Sequence, residues 1–461
     1  MSAVGRSRKV LTGMLTILAF VWSLDRVEAA DRFVSVVGSD AANDCLTNSS
    51  PCRTIGHALT QATSGDTIKV AGGGYRENLL IDYSTTLSIA GGWTADFSSR
   101  DPAANKTRVD GGGVDRVLVI EAGPGESINF TLDSVTVTRG SVVVPAGDDD
   151  GGAGILARSL GDGSLSALLA KVTVSSNKVT LSSKPVAGSG SGGGILATSQ
   201  DTSTLNLSLI DCTLTRNISE AWDGGGIAGS STNASTLNLS LTSSNVTRNR
   251  AAAGGGIALS ISDDSSLGLT MSRCSVERNH AGYGGGGLSA EEDGSLASSM
   301  TMEVTNSVFV KNKGHVNGGG MYFLGNRGNV TLESCTLTSN SAQEGGGLDT
   351  ASATHVILKN VLLWGNRITV GGGVDLDMGG SNTTVSADHC DIGGRFNSGG
   401  TFNDVGGNIN RNPLFLRGVH LSPGSPAIDT GTCTGAPTTD FEGDPRPAGA
   451  GCDIGADEFV P

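Results

Sequence analysis

Three consecutive glycines followed by one apolar residue recur along most of this chain. The apolar residue of each copy stands at Ile155 (in the variant Gly-Gly-Ala-Gly-Ile), Ile195, Ile227, Ile257, Leu288, Met321, Leu348 and Val374. Successive copies are separated by 26 to 40 residues. Repetition at this period is typical of solenoid proteins, in which each unit buries its apolar face against the next copy. The sequence therefore predicts a stack of mutually dependent coils.

A row of asparagines runs in phase with these glycines. Each member stands five to fifteen residues before a glycine triplet, at Asn177, Asn217, Asn249, Asn279, Asn312, Asn340 and Asn366. In stacked coils, equivalent residues lie about 4.8 Å apart, so their side-chain amides can hydrogen-bond along the stack and satisfy bent backbone. We predict a structural asparagine ladder, with a ligand-binding row of amides as the alternative.

Short strands occupy the residues between the glycine and asparagine positions. Leu205 to Leu209, Leu237 to Leu241 and Leu267 to Met271 alternate apolar and polar residues, as strands with one buried face do. A propeller blade needs about 40 residues, and the units of 26 and 27 residues are too short for one. Calcium-binding nonapeptide rolls need Asp at fixed places in every repeat, and this chain lacks that pattern. The pattern predicts an all-β fold, a single-stranded parallel β-helix with glycines at its corners.

The two ends of the chain differ from the repeats. Residues 1–29 resemble a secretory signal, with a basic start, an apolar run from Val10 to Trp22 and small residues before a cut ahead of Ala30. A membrane anchor is the alternative, but the apolar run is shorter than the roughly 20 residues of a span. The remaining boundaries predicted are an N-terminal cap over residues 30–66 with a helix from Arg53 to Ala62, coils over residues 67–410, and a closing segment over residues 411–461.

Eight cysteines in an exported chain permit disulfides. Cys45 with Cys52, and Cys433 with Cys452, would each close a short loop in a non-repetitive end. The other cysteines share one repeat position with Ser and Val: Cys212, Ser244, Cys274, Ser307, Cys335 and Val361, with Cys390 continuing the row. A position that accepts Cys, Ser and Val is a small inward-facing site, so we predict buried free thiols there.

Motifs in the repeats and at both ends resemble those of known β-helix proteins. Asn249 followed by Gly254-Gly255-Gly256-Ile257 resembles the repeats of polymorphic outer-membrane proteins. Tyr75-Arg76-Glu77-Asn78, Gly91-Gly92-Trp93, Arg100-Asp101-Pro102 and Val109-Asp110-Gly111 are similar to the opening coils of secreted bacterial pectin-lyase-like proteins. Ser425 to Gly431, Gly443 to Arg446 and Asp453 to Glu458 resemble the end of choice-of-anchor β-helix proteins. The resemblance implies a right-handed, pectin-lyase-like β-helix with an N-terminal cap helix, secreted or held at the outer membrane or cell surface, with an adhesin-like role.

Three aspartates near the last glycine triplets form the best candidate for a metal site. Asp349 and Asp375 each follow the apolar residue of a glycine repeat, and Asp377 stands two residues further on. In adjacent coils Asp349 and Asp375 would lie about 5 Å apart on the outer face, and two carboxylates at that spacing repel unless a cation intervenes. Oxygen ligands suit calcium. We expect these aspartates to be hydrated surface groups, with a calcium site as the alternative.

The sequence favours a binding protein over an enzyme. A net charge of −14 disfavours nucleic acid and anionic lipid, and no second apolar run is long enough to span a membrane once the signal is removed. We expect an exported protein, extracellular or on the cell surface with the periplasm as alternative, that binds polysaccharide or another surface ligand without catalysis. The oligomeric state is left open.

A polysaccharide lyase or glycoside hydrolase is the alternative function. The chain has too many candidate carboxylates to select a catalytic pair: Asp211, Glu220, Asp223, Asp263, Asp264, Glu277 and Glu291.

Overall fold

A computed structural model shows a right-handed parallel β-helix with a short helix at its N-terminal end. It describes residues 29–145, 150–182, 191–220, 223–295, 297–325, 328–352, 354–370, 374–397 and 399–461. The predicted secretory signal, apart from Ala29, and Asp148 and Asp149 lie outside these residues. The fold class predicted from the repeats is confirmed.

Each coil passes through three parallel sheets, which we number in the order of the path. Sheet 1 has 13 strands: Asp31–Val34, Thr67–Ala71, Thr85–Trp93, Ser127–Asp133, Ser164–Ala170, Thr204–Ile210, Thr236–Thr242, Ser266–Ser272, Ser299–Thr305, Asn329–Glu333, His355–Lys359, Thr384–Asp388 and Thr401–Gly406. Sheet 2 has 11 strands: Gly73–Arg76, Thr107–Asp110, Val135–Thr138, Thr173–Ser175, Thr213–Thr215, Asn245–Thr247, Ser275–Glu277, Val308–Val310, Thr336–Thr338, Leu362–Trp364 and Asp391–Ile392. Sheet 3 has 11 strands: Leu79–Ile81, Leu118–Ala122, Ile155–Ser159, Ile195–Gln200, Ile227–Thr232, Ile257–Ile261, Leu288–Glu292, Met321–Leu324, Leu348–Ala351, Leu376–Met378 and Arg395–Asn397.

Very short strands between sheets 2 and 3 add a fourth side to several coils. Five of them pair in parallel: Ser141–Val144, Lys178–Leu181, Ile218–Ser219, Arg250–Ala251 and His280–Ala281. Two more pair further along, Ser341–Ala342 and Arg367–Ile368. We call these strands sheet 4, and all of them except Ser141–Val144 directly follow a ladder asparagine.

The alternation of apolar and polar residues becomes the inside and outside of the solenoid. Leu205, Leu207 and Leu209 are almost fully buried, and each pairs in register with the leucine of the next coil at Leu237, Leu239 and Leu241. Buried aliphatic residues of the three main sheets form one continuous core. Each coil thus buries its apolar face on its neighbours, which is the stabilising contact that a solenoid requires.

The asparagine ladder is confirmed. All seven side chains are at most 3% exposed. In each, the backbone N–H and the Nδ2 group donate to Oδ1 of the ladder residue in the next coil, over 2.8 to 3.1 Å. Nδ2 of Asn279 also donates to the carbonyl of Val246 in the preceding coil at 2.8 Å. The ladder therefore satisfies backbone that turns out of sheet 2, as buried polar groups require.

The glycine triplets lie where backbone segments approach too closely for a side chain. A Cβ on Gly255 would lie 2.5 Å from the backbone of His280, and one on Gly256 would lie 2.5 Å from the carbonyl of Gly287. Gly254 has a φ of +53°, in the left-handed region that favours glycine. The prediction that the triplets form corners of the coil is confirmed.

The cysteines divide as predicted. Disulfides join Cys45 to Cys52 and Cys433 to Cys452. The four remaining thiols are free and buried: Cys212, Cys274, Cys335 and Cys390. They alternate along the stack with serines, whose hydroxyls accept hydrogen bonds from backbone N–H groups of the preceding coil. Burial raises the pKa of Cys335 to about 12, so this thiol is chemically inert at neutral pH.

A helix from Ile55–Gln61 covers the first coil. Thr54 is its N-cap and accepts a hydrogen bond from the backbone of His57. The carboxylate of Glu77 accepts from the backbone N–H groups of Ile55 and Gly56 at 2.9 and 2.7 Å. Because free N–H groups at a helix start attract negative charge, Glu77 attaches the helix to the coil beneath it.

The C-terminal segment, residues 411–461, folds back along the outer face of sheet 2. Asn306 and Asn360 donate side-chain hydrogen bonds to backbone carbonyls of this segment, and Val308 packs against Val419 and Ala456. Arg446 and Glu458, both fully buried, form an ion pair of 3.3 Å within it. The segment thus covers the side of late coils, where the outward residues Val308, Val310 and Leu362 pack against it.

Candidate functional site

The candidate metal-site aspartates lie on or beside the outer face of sheet 3, but in a different register from the one expected. Asp349 pairs with Tyr322 on one side and with Asp377 on the other. The expected adjacency of Asp349 and Asp375 is therefore wrong. Leu376 occupies the inward position that the glycine pattern assigned to Val374, so the last apparent repeat is displaced by two residues.

Asp375 is the final acceptor of the asparagine ladder. Its Oδ1 accepts from the backbone N–H and Nδ2 of Asn366 at 3.0 and 2.8 Å, and its Oδ2 accepts from the backbone of Gly394 at 2.8 Å. Burial raises the pKa of this carboxyl, while these hydrogen bonds favour its charged form. Both oxygens are thus used in joining the last coils.

Asp349 and Asp377 are only 6% and 5% exposed, so they are not the hydrated surface groups that the sequence led us to expect. Burial and the negative charges of Asp377 and Glu344 raise the pKa of Asp349 to about 7. Burial and the charges of Asp349 and Glu291 raise the pKa of Tyr322 to about 12. Asp349, Asp377 and Tyr322 are thus buried neighbours, whereas Glu291 is half-buried and Glu344 is exposed.

The acidic environment extends toward earlier coils. Glu291 lies on the outer face of sheet 3, two positions after Ser289 in its strand, and Ser289 donates to it at 3.4 Å. Burial and the charge of Glu291 raise the pKa of Asp223 to about 7. We call the whole group the acidic cleft: Asp223, Glu291, Tyr322, Glu344, Asp349 and Asp377.

The acidic cleft has no cationic partner for most of its carboxylates. Within the described ranges, Asp223, Glu291, Glu344 and Asp349 form no ion pair with a Lys, Arg or His side chain. Lys359, one of the two cations nearest in sequence, pairs with Glu333 at 2.9 Å on sheet 1. A lyase needs a base such as Lys or Arg beside its acidic groups, and the described part of the cleft does not supply one.

Metal-ligand geometry in the described residues occurs elsewhere. Asp349, Asp375 and Asp377 do not bring three ligand atoms within 4.8 Å of one another, whereas His420, Glu442 and Asp457 do. His420 Nδ1 lies 2.9 Å from Asp457 and 3.5 Å from Glu442. Burial disfavours the charged imidazole, but the hydrogen bond and charge of Asp457 raise the pKa of His420 overall. These contacts join separate parts of the C-terminal segment to one another.

The outer face of sheet 1 differs from the cleft because it carries mainly hydroxyl and amide groups. Asn206 pairs in register with Asn238, and Ser208 with Ser240. Nδ2 of Asn238 donates to Oδ1 of Asn206 at 2.9 Å in contact with solvent. This face presents hydrogen-bonding groups at a regular spacing of about 4.8 Å.

Comparisons with known proteins do not assign this chain to a family. The sequence matches no protein-family model and no curated protein sequence. Among solved structures, it is similar to the crystal structure of pectate lyase Pel9A, with a TM-score of 0.49 and 14% identity over 94% of this chain and 96% of that chain. Identity at this level transfers no substrate and no active-site residue to this chain. In the described residues, no helix has the length and apolarity needed to cross a bilayer.

Sequence reasoning located part of the acidic cleft and missed its assembly. Asp349, Asp377, Asp223 and Glu291 were each candidates, in two unrelated lists. Tyr322 and Glu344 were not recognised, because a tyrosine directly after an apolar strand residue and a glutamate before a glycine triplet are ordinary outward residues. Counting positions from the glycine triplet in every unit would have placed Tyr322 in the same row as Asp349.

Proposed function

We propose that this protein is an exported β-helix protein that binds an extended polysaccharide along its side without cleaving it. The observation that supports this function is the register of the coils, which repeats the same outward position at about 4.8 Å intervals over many consecutive turns. A linear polymer that repeats one chemical unit is the natural ligand for such a surface. The two disulfides are consistent with an oxidising, extracellular location.

Binding is favoured over lyase chemistry because Asp223, Glu291, Glu344 and Asp349 pair with no Lys, Arg or His side chain in the described ranges. A glycoside hydrolase is the second candidate, since Asp349 and Asp377 are neighbouring acids and Asp349 has a raised pKa, as an acid catalyst requires. Calcium held between Asp349 and Asp377 would relieve their repulsion, and we include it in the proposal as a structural ion.

Incubation of the purified protein with neutral and acidic polysaccharides tests the function. Retention in affinity electrophoresis and formation of reducing ends or unsaturated sugars would be followed together. We expect retention without products. Products that disappear in Asp349→Asn, with the fold intact by circular dichroism, would establish the hydrolase or lyase instead. Absence of retention on every polysaccharide would refute glycan binding.

A further inference from the structure

Basic residues flank the asparagine ladder on both sides in the middle coils. The residue before each ladder asparagine is Arg216, Arg248, Arg278 and Lys311 in four consecutive coils, and the residue after it is Arg250, His280 and Lys313 in the last three of these coils. We call these seven residues the cationic ridge. The asparagine side chains between them point inward and are buried, whereas six of the seven ridge residues are exposed and His280 is half-buried.

The register of the coils aligns the ridge into two rows. Arg216, Arg248 and Arg278 each follow the end of an in-register strand of sheet 2. Arg250 pairs with His280, and His280 with Lys313. Three steps between adjacent coils give the first row of four residues a length of about 14 Å, and two steps give the second row of three residues a length of about 10 Å. The ridge is therefore a narrow strip of positive charge on an acidic protein.

Most of this charge is not neutralised by the protein. Arg216, Arg248, Arg250, Lys311 and Lys313 form no ion pair with any other residue in the described ranges. Arg278 has only a loose contact of 3.7 Å with Glu277. Burial and the positive charges of Arg250, Lys313 and His315 lower the pKa of His280. Unpaired cations in such a row are available to an external anion.

The backbone under the first row is unfavourable for the residues it carries. Arg216, Arg248, Arg278 and Lys311 have φ values of +57°, +57°, +54° and +57°. Glycine, asparagine and aspartate are the residues that adopt this conformation most readily. Replacing Arg or Lys by Asn at these places therefore relieves local backbone strain, so a loss of ligand binding in such a variant would not come from a loss of stability.

A shallow depression lies beside the second row of the cationic ridge. It has a volume of about 310 Å³ and is lined by Arg250, His280, Glu220 and Tyr283 among others. The Tyr283 side chain is 58% exposed. An exposed aromatic ring next to cations suits a sugar ring whose apolar face packs on the phenol while its acidic group meets the guanidinium.

We propose that the cationic ridge is the binding site for a single-chain acidic polysaccharide, bearing carboxylate or sulfate groups along its length, which lies across the coils parallel to the solenoid axis. This assignment rests on the proposed function and names its ligand class and face. A duplex nucleic acid fits less well, because it is wider than the ridge and would place phosphates against the acidic remainder of the surface.

The chain offers variants that separate ligand binding from folding. Arg248→Asn combined with Lys311→Asn removes two ridge charges and places a better-suited residue at each positive φ. The matched control is Lys171→Asn combined with Arg273→Asn, at exposed residues with φ of +54° and +53° at the opposite end of the sheet 2 strands. Both pairs change the net charge equally, and both are expected to melt no lower than the wild type.

Affinity for alginate, dextran sulfate, neutral dextran and duplex DNA would be measured for the three proteins at two salt concentrations. We expect the ridge variant to bind alginate or dextran sulfate about tenfold more weakly and with less salt dependence, since each exposed ion pair contributes modestly. The control is expected to bind like the wild type. The first two probes distinguish carboxylate from sulfate recognition.

Equal affinities of the ridge and control variants would refute the ridge as the binding site. If dextran or alginate were still retained, the proposed glycan binding itself would stand. If binding were lost only in the double variant Asn206→Ala with Asn238→Ala, the polysaccharide site would lie on the outer face of sheet 1 instead. Tighter binding of duplex DNA than of either acidic polysaccharide would replace the ligand class. Retention of no polysaccharide at all would refute the proposed function together with the ridge.

Discussion

Replacing Asn279 by Ala removes one rung of the asparagine ladder from the middle of the stack. Its Nδ2 donates to Val246 at 2.8 Å and to Asn312 at 3.1 Å, and its Oδ1 accepts from the backbone N–H of Asn249 at 2.9 Å and from Nδ2 of Asn249 at 3.1 Å. The truncated side chain leaves two donors of Asn249 without an acceptor in a site that is 1% exposed. Each unsatisfied buried group costs about 1–3 kcal/mol, so we expect a loss of about 3 kcal/mol in the free energy of unfolding.

Urea unfolding followed by far-ultraviolet circular dichroism measures this loss. A shift of the midpoint at constant slope reports stability alone. The matched control is Asn238→Ala, which removes one solvent-exposed amide hydrogen bond to Asn206, and we expect it to change stability by no more than about 0.5 kcal/mol. A loss below about 1 kcal/mol for Asn279→Ala, or equal losses for both variants, would refute the idea that ladder bonds stabilise the stack.

Four further outcomes are expected. Folding raises the pKa of Asp349 to about 7, so the folded state binds the carboxyl proton more tightly than the unfolded chain does. The free energy of unfolding therefore falls as pH rises from about 4 to 7. Relative to wild type, Asp349→Asn should raise the urea midpoint at about pH 8 and leave it unchanged at about pH 4. Calcium at about pH 8 should raise the melting temperature of the wild type more than that of Asp377→Asn, and equal shifts would contradict the proposed ion. Alkylation followed by mass spectrometry should modify none of the four free thiols, Cys335 included, in the native protein and all four in denaturant. Gly255→Ala should destabilise the coil by about 3 kcal/mol or more, because its Cβ meets the backbone of the next coil, whereas Gly282→Ala, with its nearest atom at 3.5 Å, should melt close to the wild type.

Local repetition made most of the fold predictable. Alternating leucines such as those from Leu205 to Leu209 define strands, and the phase between glycines and asparagines defines the coil, because both patterns follow directly from which side chains must be buried. The shared position of Cys274 and Ser307 identified an inward site for the same reason. Each of these features depends only on one repeat and the next repeat along the chain, so comparing adjacent repeats in the sequence is enough to predict it.

The register at the last coil and the C-terminal fold-back could not be predicted in the same way. Val374 directly follows the glycine triplet and Leu376 stands two residues later, and only the pairing of whole strands decides that Leu376 enters the core. The contacts of Asn306 and Asn360 with the C-terminal segment join residues 133 and 72 positions apart. No local pattern encodes such a contact.

The cationic ridge was missed because each of its residues, taken alone, is an ordinary solvated charge. Only the alignment of coils turns Arg248 and Lys311 into members of one row. A detectable sequence feature did exist, since Arg248-Asn249-Arg250 and Lys311-Asn312-Lys313 place basic residues on both sides of a buried asparagine. Comparing the residues on either side of each ladder asparagine from one repeat to the next would have revealed the ridge.

The residue-for-residue pairing of neighbouring coils makes the length of this protein adjustable in whole turns. Thr204–Ile210 and Thr236–Thr242 pair over all seven positions, so gene duplication or loss of one such unit would change the rod by a single step of about 4.8 Å and leave every flanking junction chemically the same. Insertions of any other size would have to loop out at a corner. Related proteins built this way can therefore differ in length by whole coils while they keep the same buried core, and the number of coils sets the length of the rod.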